Sequence, residues 1–167
     1  RDGPTLLMQA YSGAGQSKEA VAYLEEAAPD NPQLYSTLAG FYARDRRWVD
    51  AAAAYEQALK QSPRSVDLRV NLGSMLVNTG NRADLLRARD VLREAISSNA
   101  TNERALTLLS QVERRAGDPA AAEAAARKVV AQNARGPRGY FVLAEALEDQ
   151  RKWQAVVDAL APAVASF

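Results

Sequence analysis

Apolar side chains recur along this chain three or four positions apart, in short runs broken by turn residues. Tyr35, Leu38 and Tyr42 form one run, and Val70, Leu72 and Leu76 another. That spacing puts them on one face of an α-helix. Breakers fall at Ala14-Gly15, Thr79-Gly80-Asn81 and Gly117-Asp118-Pro119, and again at Pro29 to Pro32, Ser62-Pro63 and Gly136-Pro137. The alternation predicts pairs of helices of about 12–15 residues joined by short turns. Asp118-Pro119 reads as a helix start, with a capping side chain followed by Pro at the first helical position, and Asn31-Pro32 reads the same way.

The runs repeat in register. One stretch reads Tyr35-x2-Leu38-Ala39-x2-Tyr42, then Ala51-x3-Tyr55, then Pro63. The next reads Arg69-x2-Leu72-Gly73-x2-Leu76, then Ala88-x3-Leu92, then Ala100. A third reads Leu106-x2-Leu109-Ser110-x2-Glu113, then Ala122-x3-Ala126, then Ala134. A fourth reads Tyr140-x2-Leu143-Ala144-x2-Leu147, then Val156-x3-Leu160. Before them stands Leu7-Met8-x2-Tyr11, then Ala20-x3-Leu24, then Pro29. The leucines Leu7, Leu38, Leu72, Leu109 and Leu143 are separated by 31, 34, 37 and 34 residues. The short interval is assigned to a shortened second helix before Pro29, and the long one to an insertion near Asn81–Leu86.

This arrangement resembles the tetratricopeptide repeat family, whose pattern is aromatic-x2-Leu-Gly-x2-Tyr, Ala-x3-Phe, Pro with a period of about 34. The resemblance covers the whole chain. It implies an all-α fold, a right-handed α-solenoid of about five helical hairpins and ten helices. The single array 1–167 divides into repeats at about 1–31, 32–65, 66–102, 103–136 and 137–167. Small residues on first helices (Ala39, Gly73, Ser110, Ala144) and second helices (Ala51, Ala88, Ala122) let paired axes approach closely. Leu72, Tyr55, Leu92, Trp48 and Trp153 are expected to fill the space between hairpins. If the Trp48 ring is core, its removal costs about 3–5 kcal/mol.

The last helix carries a broad apolar side, with Val157, Leu160, Val164 and Phe167. Solenoid ends normally carry polar caps. The expectation is a chain that continues, or an end that packs on a partner and permits self-association through the C-terminal helix. The start at Arg1, without Met or signal-like segment, is read as that of an excised fragment of a longer chain.

Composition then narrows the chemistry. Of 167 residues, 47% are apolar and 25% charged, a profile of soluble globular chains that suits cytoplasm or periplasm alike. Cys and His are both absent, which removes thiolate nucleophiles, imidazole bases and most zinc chemistry. The net charge of +1 supplies no field for nucleic acid, and no apolar run approaches the roughly 20 residues of a membrane helix, so membrane insertion is not expected. Ser12-Gly13-Ala14-Gly15-Gln16-Ser17-Lys18 lacks the glycine spacing of a phosphate loop and reads as a turn with Ser17 capping the next helix. Carboxylate pairs such as Glu25-Glu26 have no organised base or nucleophile beside them. No enzyme activity and no cofactor are expected. The Ala- and Arg-rich, Cys-free composition points to a bacterial source.

The resemblance further implies that first helices line a concave groove. Its exposed positions are Ser36, Gly40 and Arg44, then Asn71, Ser74 and Asn78, then Arg104, Thr107, Gln111, Arg114 and Arg115, then Arg138, Phe141, Glu145, Glu148 and Asp149. Asn71 and Asn78 both donate and accept hydrogen bonds, as an extended peptide backbone requires. Arg104, Arg114 and Arg115 suit a carboxylate or acidic side chain. The family's carboxylate clamp for chaperone tails needs Lys and Asn, then Asn, then Lys and Arg on successive first helices. The best register offers Ser36, Gly40, Asn71, Arg104 and Leu108, and registers one unit earlier or later also fail. The chain is therefore not expected to be a chaperone-tail receptor. Base-reading helical repeats place matching side chains at equivalent positions. Here those are Gly40, Ser74, Gln111 and Glu145, which share no chemistry. The leading reading is a protein–protein interaction scaffold for a peptide or helix segment, its partner unnamed. The alternative is a structural spacer or self-association module of a larger multidomain protein.

Overall fold

A computed structural model describes residues 11, 13, 15–134 and 136–164. Nine α-helices occur among them: α1 (Ser17–Ala27), α2 (Tyr35–Arg44), α3 (Trp48–Gln61), α4 (Val66–Asn78), α5 (Arg82–Ser98), α6 (Glu103–Ala116), α7 (Pro119–Gln132), α8 (Pro137–Asp149) and α9 (Trp153–Val164). No strand appears among the described residues. Leu7, Met8 and most of the tenth expected helix lie outside them, as does Phe167.

Every hairpin turn closes in the same backbone conformation. Gly15, Arg46, Gly80, Gly117 and Arg151 all have positive φ. They follow one another at 31, 34, 37 and 34 residues, the intervals of the leucines. A left-handed residue after a helix lets the next amide reach back to an orphaned carbonyl. Asp118 N donates to Glu113 O (2.8 Å), Arg47 N to Tyr42 O (2.9 Å) and Lys152 N to Leu147 O (3.0 Å). The following helix then starts two residues on. Asn81, Asn102 and Asp118 cap α5, α6 and α7, each accepting from the amide three positions ahead. Two sequence expectations shift. Asn31-Pro32 opens a 3-10 turn (Pro32–Leu34) before α2, and Ser17 is the first residue of α1 with no capping hydrogen bond from Gln16 before it.

Contacts gather the chain into two units, 1–68 and 69–167, with the division in the first turn of α4. In the first unit α1 packs on α2 and α2 on α3. Ala20, Leu24, Ala39 and Ala51 are fully buried there. The Tyr42 hydroxyl donates to Glu25 Oε1 (2.6 Å), and the Arg47 guanidinium stacks 4.2 Å over the Tyr42 ring. Burial first, then the Glu25 hydrogen bond, pushes the Tyr42 hydroxyl up to about 12.

In the second unit α5 packs on α6, α6 on α7, α7 on α8 and α8 on α9, and α6 also meets α8. The small residues behave as expected. A Cβ on Gly73 would lie 2.8 Å from Leu92, and Gly139, outside the expected set, is nearly as tight, since a Cβ there would lie 3.0 Å from the backbone of Val130. Ser110 is wholly buried and donates to Ala122 O (3.0 Å). The insertion lies where the pattern put it. α5 has 17 residues where α3 and α7 have 14, and α1 is short at 11.

The tryptophans need correction. Trp48 is half-buried and Trp153 is 58% exposed, so Trp153 fills no space between hairpins. It shares an exposed apolar face of α9 with Val157 and Val164.

Candidate functional site

The second unit holds a cleft of about 570 Å³ lined by Val77, Asn78, Gln111, Arg114, Arg115, Glu145 and Asp149. All come from the C-terminal parts of α4, α6 and α8, the first helices of three successive hairpins. Residues one repeat apart on such helices face each other, because each repeat presents its first helix in the same register.

Two adjacent arginines tie the three helices together. Arg115 Nη1 donates to Val77 O (2.9 Å) at the end of α4. Arg114 turns the other way, its Nε donating to Asp149 Oδ2 (2.6 Å) and its Nη1 to Glu145 Oε2 on α8. Arg114 is only 26% exposed. Its guanidinium is held protonated more firmly than usual. The Asp149 hydrogen bond contributes most, partial burial opposes it, and the charges of Glu145, Asp149 and Glu148 add to it. Within the cleft the amides of Asn78 and Gln111 have no hydrogen-bond partner among the described residues.

Of the residues predicted to line a groove, the cleft brings together Asn78, Gln111, Arg114, Arg115 and Glu145. It does not include Asn71, Ser74, Arg104, Thr107, Arg138 or Phe141. Arg104 Nη1 donates to Asn71 Oδ1 (2.8 Å), so the Asn71 carbonyl is already engaged. Thr107 Oγ1 is buried with no partner among the described residues. Arg138 is exposed, and Phe141 is 47% exposed. Arg44 belongs to the first unit, where its guanidinium lies 5.6 Å over the Phe41 ring. The sequence reading assigned Arg114 to an incoming carboxylate and did not pair it with Glu145 or Asp149. Its missed signal was spacing: Arg114 stands 31 and 35 residues before Glu145 and Asp149, close to one repeat.

Similarity to known proteins agrees with the helical-repeat fold. The chain is 29% identical over 155 residues to cellulose synthase operon protein C of Pseudomonas fluorescens (strain SBW25), an alignment covering 88% of this chain. The chain spans 12% of that relative's length. Among solved structures, MamA residues 41 to end from Desulfovibrio magneticus RS-1 superposes with a TM-score of 0.86 at 16% identity, covering 98% of this chain and 92% of the other. TTC0263, a thermophilic tetratricopeptide protein of Thermus thermophilus, gives 0.71 at 20% identity, covering 99% and 90%. The tetratricopeptide repeat model matches at 5–65, 41–103, 80–137 and 107–165, windows that together carry the recurring leucines, small residues and turns described above. By that match the chain belongs to the tetratricopeptide repeat family.

Proposed function

We propose that this chain is a protein–protein interaction scaffold that receives an extended peptide segment in the cleft on α4, α6 and α8. Family membership supports the scaffold role. The observation that carries the cleft is its pair of free amides. Asn78 and Gln111 offer donors and acceptors in a recess of about 570 Å³, and nothing described in the chain uses them. An extended backbone presents the matching N–H and C=O groups. The relative's name, cellulose synthase operon protein C, gives a starting place for the partner search: proteins encoded beside a polysaccharide synthase.

The test is photo-crosslinking in cells of the source organism. A benzoylphenylalanine at position 111 is compared with one at the exposed position 90 on α5. Adducts at 111 and not at 90 support the cleft. Adducts at 90 alone overturn it.

A second reading is a spacer or self-association module. It rests on Trp153, Val157 and Val164, which are 58%, 61% and 69% exposed on one helix. Exposed apolar patches mark contact surfaces. A sedimentation coefficient that stays monomeric at high concentration rules self-association out.

A further inference from the structure

The cleft's walls are helix C-termini. A helix carries partial negative charge at that end, and a basic residue in the last turn offsets it. α6 has Arg114 and Arg115 there, whereas α4 and α8 have no basic residue in their last turns. α8 goes the opposite way and places Glu148 and Asp149 at its negative end, with Glu145 one turn before. That arrangement is unfavourable for the helix alone.

The arginines are already engaged. Arg115 serves the α4 terminus through Val77 O. Arg114 is held by Asp149 and Glu145. Glu148 is exposed, and its carboxylate has no hydrogen-bond or ion-pair partner among the described residues. Two carboxylates therefore bond the single guanidinium of Arg114, and Glu148, on the same helix just outside the cleft lining, adds only its charge. An incoming carboxylate would have to take Arg114 from two acids and leave both uncompensated. An incoming cation adds to the cluster instead, since each carboxylate accepts several hydrogen bonds.

We infer that the cleft takes a lysine- or arginine-bearing extended segment of a partner protein, its cation seated against Glu145, Glu148 and Asp149 and its backbone bonded by Asn78 and Gln111. This rests on the scaffold reading and reverses the ligand charge that the row of arginines suggested. The neutral amides fix the segment's path, and the acids select its side chain.

The test is fluorescence anisotropy of the whole chain with two labelled peptides of equal length, alternating Gly-Lys and alternating Gly-Glu, at about 50 mM salt, where charge contacts are weakly screened. The lysine probe binds and the glutamate probe does not. Glu148→Lys weakens the lysine probe by about tenfold or more, one decade being about 1.4 kcal/mol. Asp90→Lys makes the same change in net charge on exposed α5 and leaves binding within about twofold. Gln111→Ala also weakens the probe. Failure of the lysine probe, preference for the glutamate probe, or equal loss in Glu148→Lys and Asp90→Lys each overturns the inference. Crosslinking at position 111 that persists through any of these keeps the scaffold reading and discards only the basic partner. Adducts at 90 with none at 111 defeat the cleft reading itself.

Discussion

Arg93 on α5 and Glu113 on α6 meet at 2.7 Å, at the same repeat position where Glu25 and Tyr42 meet at 2.6 Å in the first unit. Glu113 is 2% exposed and replaces the Tyr or Leu found in the equivalent places, Tyr42, Leu76 and Leu147. A buried carboxylate is tolerated here because a half-exposed arginine reaches in to neutralise it.

Removing one partner should therefore hurt more than removing the charge altogether. Arg93→Ala leaves Glu113 buried and uncompensated, and is expected to destabilise the second unit by about 2–4 kcal/mol. Glu113→Leu restores the repeat's usual apolar residue and is expected to lie within about 1 kcal/mol of wild type. Urea denaturation of both variants checks the order. Equal costs would mean that the pair contributes only packing.

Glu123 gives a pH dependence with a definite sign. Its Oε2 accepts from Lys152 Nζ (2.9 Å) and Gln150 Nε2 (2.8 Å), and its Oε1 from Arg127. The Lys152 contact leads. Burial opposes it, and Arg127 and Gln150 add to it, so the carboxyl falls from 4.5 to about 2. The unfolded chain then takes up the proton first on acidification. The stabilisation is fully present above about 4.5 and is lost as pH falls towards about 2. Thermal melts of wild type and Glu123→Gln should differ at neutral pH and converge in that acid window.

Two turns use arginine where three use glycine. Arg46 and Arg151 hold φ of 58° and 57°, a conformation that costs an L-residue about 1–2 kcal/mol. Arg46→Gly and Arg151→Gly relieve this, although glycine gives back part of the gain through unfolded-chain entropy. Each is expected to raise stability by up to about 1 kcal/mol, and Gly117→Ala to lower it by about as much. Chemical denaturation of the three single variants reads the difference directly.

Gly73→Ala should cost about 1–3 kcal/mol, because its new methyl meets Leu92 at 2.8 Å and Leu92 is fully buried. Leu92→Val frees space on the same spot. The double variant should lose less than the two single losses together. Strict additivity would show that the helices separate instead of the side chain yielding.

The repeat register was legible because it rests on backbone geometry and helix spacing. Even the lengthened α5 and shortened α1 were visible as departures in the leucine intervals. Trp153 was misplaced because a helical pattern tells which side a ring occupies, not what lies opposite. Trp48 and Trp153 hold equivalent positions, yet one is half-buried and the other exposed. Five of the expected groove residues line one cleft, but their partners were not legible. Whether Arg114 is free or engaged depends on side-chain reach across two helices, and whether Arg115 is free depends on a main-chain oxygen of Val77, which has no letter of its own in a sequence.

The three extra residues of α5 enter after the closed turn at Gly80 and before Ala88, the alanine that faces the paired helix. Everything downstream keeps its register: Leu92 still meets Gly73, and Arg93 still meets Glu113. The start of a second helix is thus a splice point, where length can be added without disturbing either neighbour. An affinity tag or a reporter loop grafted between Gly80 and Asn81, ahead of the Asn81 cap on Asp84, would enter where this repeat is already longer than its neighbours.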